Sequence, residues 1–209
     1  MLIKGEKIVF AGDSVTDDGR TRPVGEGLWG ALGNGFVRMT DTILNVDYPE
    51  LYIRCVNMGI SGNTSRDLLA RWESDITALN PDVVVLCIGF NDVWRQFDCP
   101  AQPDFSVSPE EYRSNLNAMA EKTTAKMIWM TPYYLESNGN DPMRKRMDEY
   151  GEICKEEAAN RGIPCIDLQA AFAEILKHRY PAYITWDRVH PGWTGSLIIA
   201  RALLKELTK

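Results

Sequence analysis

Two residues separated by most of the chain, Ser14 and His190, carry the most suggestive chemistry. Ser14 closes the stretch Ile8-Val9-Phe10-Ala11-Gly12-Asp13-Ser14, in which an apolar run is broken by glycine just before an aspartate and a serine. Where a strand of an open α/β sheet ends, loops and helix N-termini converge on ligands, and a serine placed there can act as a nucleophile. Taken alone, the pair Asp13-Ser14 fits a helix cap better. His190 lies in Thr185-Trp186-Asp187-Arg188-Val189-His190-Pro191. In a turn, an aspartate three residues before a histidine can return its carboxylate to Nδ1. That fixes the tautomer, stabilises the imidazolium and leaves Nε2 to take a proton from Ser14. A histidine satisfied by its own local turn carries equal weight on these residues alone. The only other histidine, His178, sits at the basic helix end Leu176-Lys177-His178-Arg179-Tyr180, where the helix dipole favours it without any catalytic role.

For these distant groups to meet, the intervening chain must form a sheet with a common edge. Val83-Val84-Val85-Leu86-Cys87-Ile88 is apolar without alternation, as expected of a strand covered on both faces in a parallel sheet. Further strands are expected at 51–56, 127–130 and 164–167. Helices are expected between them: one on the face Phe36, Met39, Thr40, Ile43 and Leu44, ended by Pro49, and one from about Ser65 to Leu79, stopped by Asn80-Pro81-Asp82. Ser108-Pro109-Glu110-Glu111 reads as a capping box with proline at the first helical position. Asp141-Pro142 opens a helix that should run to Arg161 with Gly162 as its stop. A further helix carries Phe172, Ile175 and Leu176, and the last runs from Leu197 to Leu207. Residues 95–107 read as a polar loop. The match Gly25-Glu26-Gly27-Leu28-Trp29-Gly30 to a dinucleotide fingerprint lacks its preceding strand, so residues 23–35 read as a flexible active-site loop or a subunit contact. Strands alternating with helices imply a single three-layer α/β/α domain over 1–209. Its five-stranded parallel sheet is expected in the flavodoxin-like order 2-1-3-4-5.

Three strand exits end in polar, glycine-bearing clusters: Gly12-Asp13-Ser14, Gly59-Ile60-Ser61-Gly62-Asn63-Thr64 and Gly89-Phe90-Asn91-Asp92. In a parallel sheet all three share one edge. Lysine and arginine number 23 against 29 aspartate and glutamate, a net charge of −6 without blocks of one sign, which argues against a nucleic-acid partner. Five cysteines without C-x-x-C spacing fit thiols in a cytoplasmic protein. No signal-peptide pattern and no stretch of membrane-spanning length is visible. Two distant histidines are a poor basis for a metal site, and no cofactor is expected.

The ordered set Gly12-Asp13-Ser14, Gly62 within Ser61-Gly62-Asn63-Thr64, Gly89-Phe90-Asn91-Asp92 and Asp187-Arg188-Val189-His190 resembles the four sequence blocks of the SGNH (GDSL-type) hydrolases. The resemblance implies Ser14 as nucleophile, His190 as base and Asp187 as its orienting partner. It also implies an oxyanion hole of Ser14 N–H, Gly62 N–H and the Asn91 side chain. Within that family the chain is similar to bacterial intracellular acetylxylan esterases, on Gly25-Glu26-Gly27, residues 57–64, Asn91-Asp92-Val93-Trp94-Arg95-Gln96 and Trp186 to Pro191. This implies removal of O-acetyl groups from xylan-derived oligosaccharides. Val15 and Thr16 stand where the name-giving motif has leucine and serine. Asp13, Trp94, Arg95 and Trp186 are expected on the substrate side. No G-x-S-x-G elbow is present, so the α/β-hydrolase fold is not indicated. A thioesterase or lysophospholipase of the same family, and a non-catalytic sugar- or nucleotide-binding module, are the competing readings. A homo-oligomer is expected.

Overall fold

A computed structural model describes residues 2–209. Strand β1 (Lys7–Gly12) leads into the single-turn helix α1 (Ser14–Asp17). Then follow α2 (Phe36–Asp47), β2 (Arg54–Asn57), α3 (Ser65–Ala70), α4 (Trp72–Asp75), β3 (Val83–Cys87), α5 (Phe90–Asp98) and α6 (Pro109–Glu121). The chain finishes with β4 (Lys126–Met130), α7 (Pro142–Arg161), β5 (Cys165–Ile166), α8 (Leu168–Leu176) and α9 (Trp193–Leu207). The five strands form one parallel sheet in the order β2-β1-β3-β4-β5, as the sequence leads one to expect. Helices cover both faces: α2, α8 and α9 pack together as one layer, and α3, α6 and α7 as the other.

The apolar run at β3 is buried from end to end because it sits third in five, with neighbours on each side and helices above and below. Its register puts Cys87 opposite both Gly12 and Met130, so the carboxyl ends of β1, β3 and β4 lie flush. Phe10 meets Phe36 edge to face, with centroids 5.9 Å apart. Trp72 is fully buried while its indole N–H donates to Thr123 Oγ1 at 3.0 Å. Burying a side chain of this size contributes roughly 1.5–3 kcal/mol.

The proline-marked helix starts are where the sequence places them. Ser108 Oγ accepts from the Glu111 amide and Asp141 Oδ1 from the Arg144 amide. Gly162 ends α7 in the left-handed conformation, φ 66°. The reciprocal half of a capping box at Ser108 is absent, because the Glu111 carboxylate is held by Arg66; the complete box is at Thr64 and Asp67.

Four expectations need correction. Residues 95–98 are helical, since α5 keeps Phe90 and Val93 buried on one face. The last helix starts at Trp193, four residues before the apolar stripe at Leu197. Gly195 permits this: a side chain there would meet Pro191 at 2.7 Å. The helix expected over 65–79 breaks at Arg71, whose φ −103° and ψ 8° are not helical. The glycine-rich segment is anchored, not loose, at its start: Gly25 exchanges two backbone hydrogen bonds with Asn57 and extends the β2 edge.

Gly12 is required by space. A Cβ on it would lie 2.2 Å from Thr16 Oγ1 and 2.3 Å from the Cys87 carbonyl oxygen, which belongs to the central strand. Gly12→Ala is expected to lower the stability of the fold by about 1–3 kcal/mol, read as a lower urea midpoint at unchanged slope.

Candidate active site

The three glycine-bearing strand exits and the Asp187–His190 segment meet at the carboxyl edge of the sheet. Ser14 begins α1 directly after β1, and its Oγ lies 2.6 Å from His190 Nε2. His190 Nδ1 lies 2.6 Å from Asp187 Oδ2. The other oxygen, Asp187 Oδ1, accepts from the backbone amides of His190 at 2.8 Å and Val189 at 3.0 Å. This is the turn anticipated from the three-residue spacing. A carboxylate at Nδ1 selects the tautomer with its proton there, so Nε2 faces the serine hydroxyl as acceptor.

The loop carrying this pair is held at several points. Thr185 and Pro191 form a backbone bridge, and the Gly192 amide donates to the Ile184 carbonyl at 2.8 Å. The buried Tyr133 hydroxyl donates to the Val189 carbonyl at 2.6 Å, and the Leu135 amide donates to the Arg188 carbonyl at 2.9 Å. Arg188 adopts φ 72°, and its guanidinium pairs with Glu136 at 2.7 Å.

The electrostatics follow from these contacts. The Asp187 hydrogen bond raises the His190 pKa above its ordinary value of 6.5; burial opposes this and the charges of Asp187, Asp13 and Asp18 add to it. Burial works against the Asp187 charge, yet the His190 ring and the His190 and Val189 amides hold its carboxyl below the usual range. Trp186 stacks on His190 with centroids 5.9 Å apart and planes 16° from parallel. Trp94, half-buried, lies 5.8 Å away on a tilted plane. Ring faces this close favour an imidazolium over a neutral ring.

Backbone amides complete the site. From Met58 to Ser65, every amide except that of Gly62 donates within the protein. Met58 donates to Phe10, Gly59 to Asn57 Oδ1, Ile60 to Gly12, Ser61 to Asp17 Oδ2, Asn63 to Ile60, Thr64 to Asp67 and Ser65 to Asp92. Gly62, at φ 85°, has an N–H with no acceptor among the described residues. The same holds for the Ser14 amide at the first helical position. Asn91 Nδ2 donates to the Asn63 carbonyl at 3.0 Å, which leaves its second hydrogen free and ties the third block to the second.

One expected substrate contact is not available. Asp13 is fully buried: its Oδ1 accepts from the Val15 amide, its Oδ2 has no partner, and burial pushes its pKa up to about 7. It is the cap of α1, not a surface group. Asp92 is also fully buried, pushed up to about 6 by burial despite accepting from the Ser65 amide and hydroxyl. Arg95 is ion-paired with Asp98 along α5. Trp186 is 82% exposed. Val15 and Thr16 are buried, so the departure from the name-giving motif lies beneath the site surface. Asp17, Arg20 and Arg71, which bond to the Ser61 amide and to the Gly59 and Met58 carbonyls, support the site and were not singled out by sequence. Local sequence does not set Arg71 apart, since the same stretch also carries Arg66, Asp67, Glu73 and Asp75.

This arrangement is a serine–histidine–aspartate triad on a flavodoxin-like sheet, and the GDSL-like lipase/acylhydrolase family profile matches residues 10–197. The chain belongs to that family and is a carboxylic ester hydrolase. It is 51% identical to an acetylxylan esterase of Geobacillus stearothermophilus over 206 residues, 97% of this chain and 94% of that one. The crystal structure of that organism's acetylxylan esterase Axe2 superimposes with a TM-score of 0.97 at 50% identity, covering 100% of this chain and 96% of the other. Solved catalytic mutants of Axe2 have a serine, an aspartate or a histidine replaced by alanine. LAE5, described as an alpha/beta hydrolase from the metagenome of Lake Arreo, matches with a TM-score of 0.96 at 45% identity, over 99% of this chain and 97% of that one.

The base must be neutral to accept the serine proton, so kcat/KM should rise with pH through the His190 titration, with a midpoint above 6.5. Asp187→Asn should lower that midpoint and reduce kcat by about 10³-fold or more, because the imidazole loses both its charge partner and its fixed tautomer. A pH–rate profile of both proteins checks this, and a midpoint that does not move would contradict it.

Proposed function

We propose that the protein removes O-acetyl groups from acetylated xylo-oligosaccharides through an acyl-enzyme on Ser14. The observation that carries this reading is the coincidence of a Ser14–His190–Asp187 chain at hydrogen-bond distance with two unengaged amides, those of Ser14 and Gly62. Ser14 Oγ attacks the acetyl carbonyl carbon while its proton passes to His190 Nε2. The carbonyl oxygen becomes an oxyanion held by Ser14 N–H, Gly62 N–H and the free hydrogen of Asn91 Nδ2. The C–O bond to the sugar breaks and the departing sugar oxygen takes the proton from His190. Water repeats the sequence on the acyl-enzyme and releases acetate.

The likeness to the Geobacillus acetylxylan esterase supports acetylated xylo-oligosaccharide as the substrate. Trp186 and Trp94 beside His190 offer aromatic faces for a sugar ring, with Arg95 next on the same helix as Trp94. We place the enzyme inside the cell, a reading supported by its five cysteines, all of them free thiols. No helix among the described residues is long and apolar enough to cross a membrane. Leu28 and Trp29, 79% and 97% exposed on the glycine-rich segment, support a homo-oligomer. Light scattering after size exclusion should return the mass of two or more chains, and a monomer mass would contradict it.

Ser14→Ala should lower kcat on acetylated xylo-oligosaccharides by about 10⁴-fold or more while leaving the circular dichroism spectrum unchanged. On the unmodified enzyme, kcat/KM should be higher on these substrates than on acyl thioesters or lysophospholipids. The reverse order would favour the thioesterase or lysophospholipase reading.

A further inference from the structure

Gly62 combines two properties that do not ordinarily yield a well-aimed amide. Its φ of 85° lies where glycine moves most freely, and a Cβ built on it would meet nothing within 4 Å. No packing contact of its own therefore fixes its direction. Both neighbours, however, are tied. On one side, Asp17 Oδ2 accepts from the Ser61 amide and from Ser61 Oγ, both at 2.9 Å, while Arg22 holds the same carboxylate. On the other, Asn63 Oδ1 accepts from Arg71 Nε at 2.7 Å.

Arg71 reaches further. Its Nη1 donates to the Met58 carbonyl at 2.9 Å, and its Nη2 donates to the Gly12 carbonyl at 3.1 Å, two residues before Ser14. Only its contact with Asp75 at 3.2 Å belongs to its own helical segment. The guanidinium thus spans the start of the loop, its tip and the end of β1. We propose that Arg71 is a positioning residue for the reaction, clamping loop 58–63 so that the Gly62 amide faces the same oxyanion as the Ser14 amide. The proposal rests on the reading of Gly62 as an oxyanion donor. The helix breaks at Arg71 itself, with φ −103° and ψ 8°. The clamp also fits the choice of arginine, since three nitrogens of one planar fork reach acceptors on Asn63, Met58, Gly12 and Asp75. An ammonium would have to serve them from a single nitrogen with three donors.

Losing an oxyanion donor outright costs about 10²–10³-fold in kcat, so an amide that is present but poorly aimed should cost part of that. The most local test is Asn63→Ala, which deletes the acceptor at the loop tip and retains the backbone carbonyl used by Asn91. With p-nitrophenyl acetate, and with active sites counted by fluorophosphonate titration, kcat per titrated site should fall roughly 10–100-fold. KM should stay within threefold and the acidic limb of the pH profile should not move. Asn63→Asp, which keeps an acceptor opposite the guanidinium, should return kcat to within threefold of the parent. Arg71→Met should lose as much as Asn63→Ala or more. A merely structural role would reduce the titratable fraction and leave kcat per site unchanged. Parental kcat per site in Asn63→Ala overturns the proposal, even if Arg71→Met is inactive or does not fold. Asn91→Ala, assayed in parallel, reports on the hole itself. Parental kcat in that variant would remove the oxyanion reading, whereas a large loss there beside an unaffected Asn63→Ala would remove the clamp alone.

Discussion

The hydrogen bond between Ser14 Oγ and His190 Nε2 joins side chains 176 positions apart in sequence, at 2.6 Å. A contact of this sequence separation exists only if the sheet order, the strand register and the last loop are all correct together. The register that sets Gly12 opposite Cys87 places the start of α1 at the rim. Tyr133, leaving β4 in the adjacent position, pins the Val189 carbonyl and so carries the histidine loop to the same rim. The triad is thus a property of three neighbouring strand ends more than of any one segment.

That rim is expensive to build. It holds two fully buried carboxyls, Asp13 and Asp92, both raised toward neutrality by burial, and one Asp13 oxygen without a partner. Burying such groups opposes folding unless hydrogen bonds compensate. Asp92 receives them from Ser65, whose hydroxyl in turn accepts from Asn115 on α6, and this locks the start of α3 under the second block. Asp13 receives only one, from Val15, and its proximity contributes to the raised pKa of His190. Local rules of stability are relaxed where the chemistry takes place, a pattern expected of functional sites.

Much of this was legible because single residues with strong local preferences mark it. Ser108-Pro109, Asp141-Pro142 and Gly162 fix helix ends by backbone sterics, and the unbroken apolar run at 83–87 can be satisfied only in the middle of a covered sheet. Asp187 and His190 were readable as a pair because three residues of turn suffice to bring them together. What escaped depends on contacts that local sequence does not encode. Arg71, where the helix breaks, donates to carbonyls at Gly12 and Met58, one of them 59 positions away. The early start of α9 depends on Gly195 fitting against Pro191 and Ile184. Asp13 was expected to face substrate, but the turn of α1 directs it inward to cap the Val15 amide. Gly62 was identified by resemblance; that its amide is left free where its neighbours are all engaged required coordinates.

The most direct measurement is peptide mapping after stoichiometric reaction with a fluorophosphonate. A hydroxyl activated by His190 and facing two free amides should capture the phosphonate faster than any other serine. The account predicts one adduct per chain, on the peptide bearing Ser14, with activity lost in proportion to labelling. Full labelling at another residue, or an enzyme that keeps turning over with Ser14 modified, would contradict it.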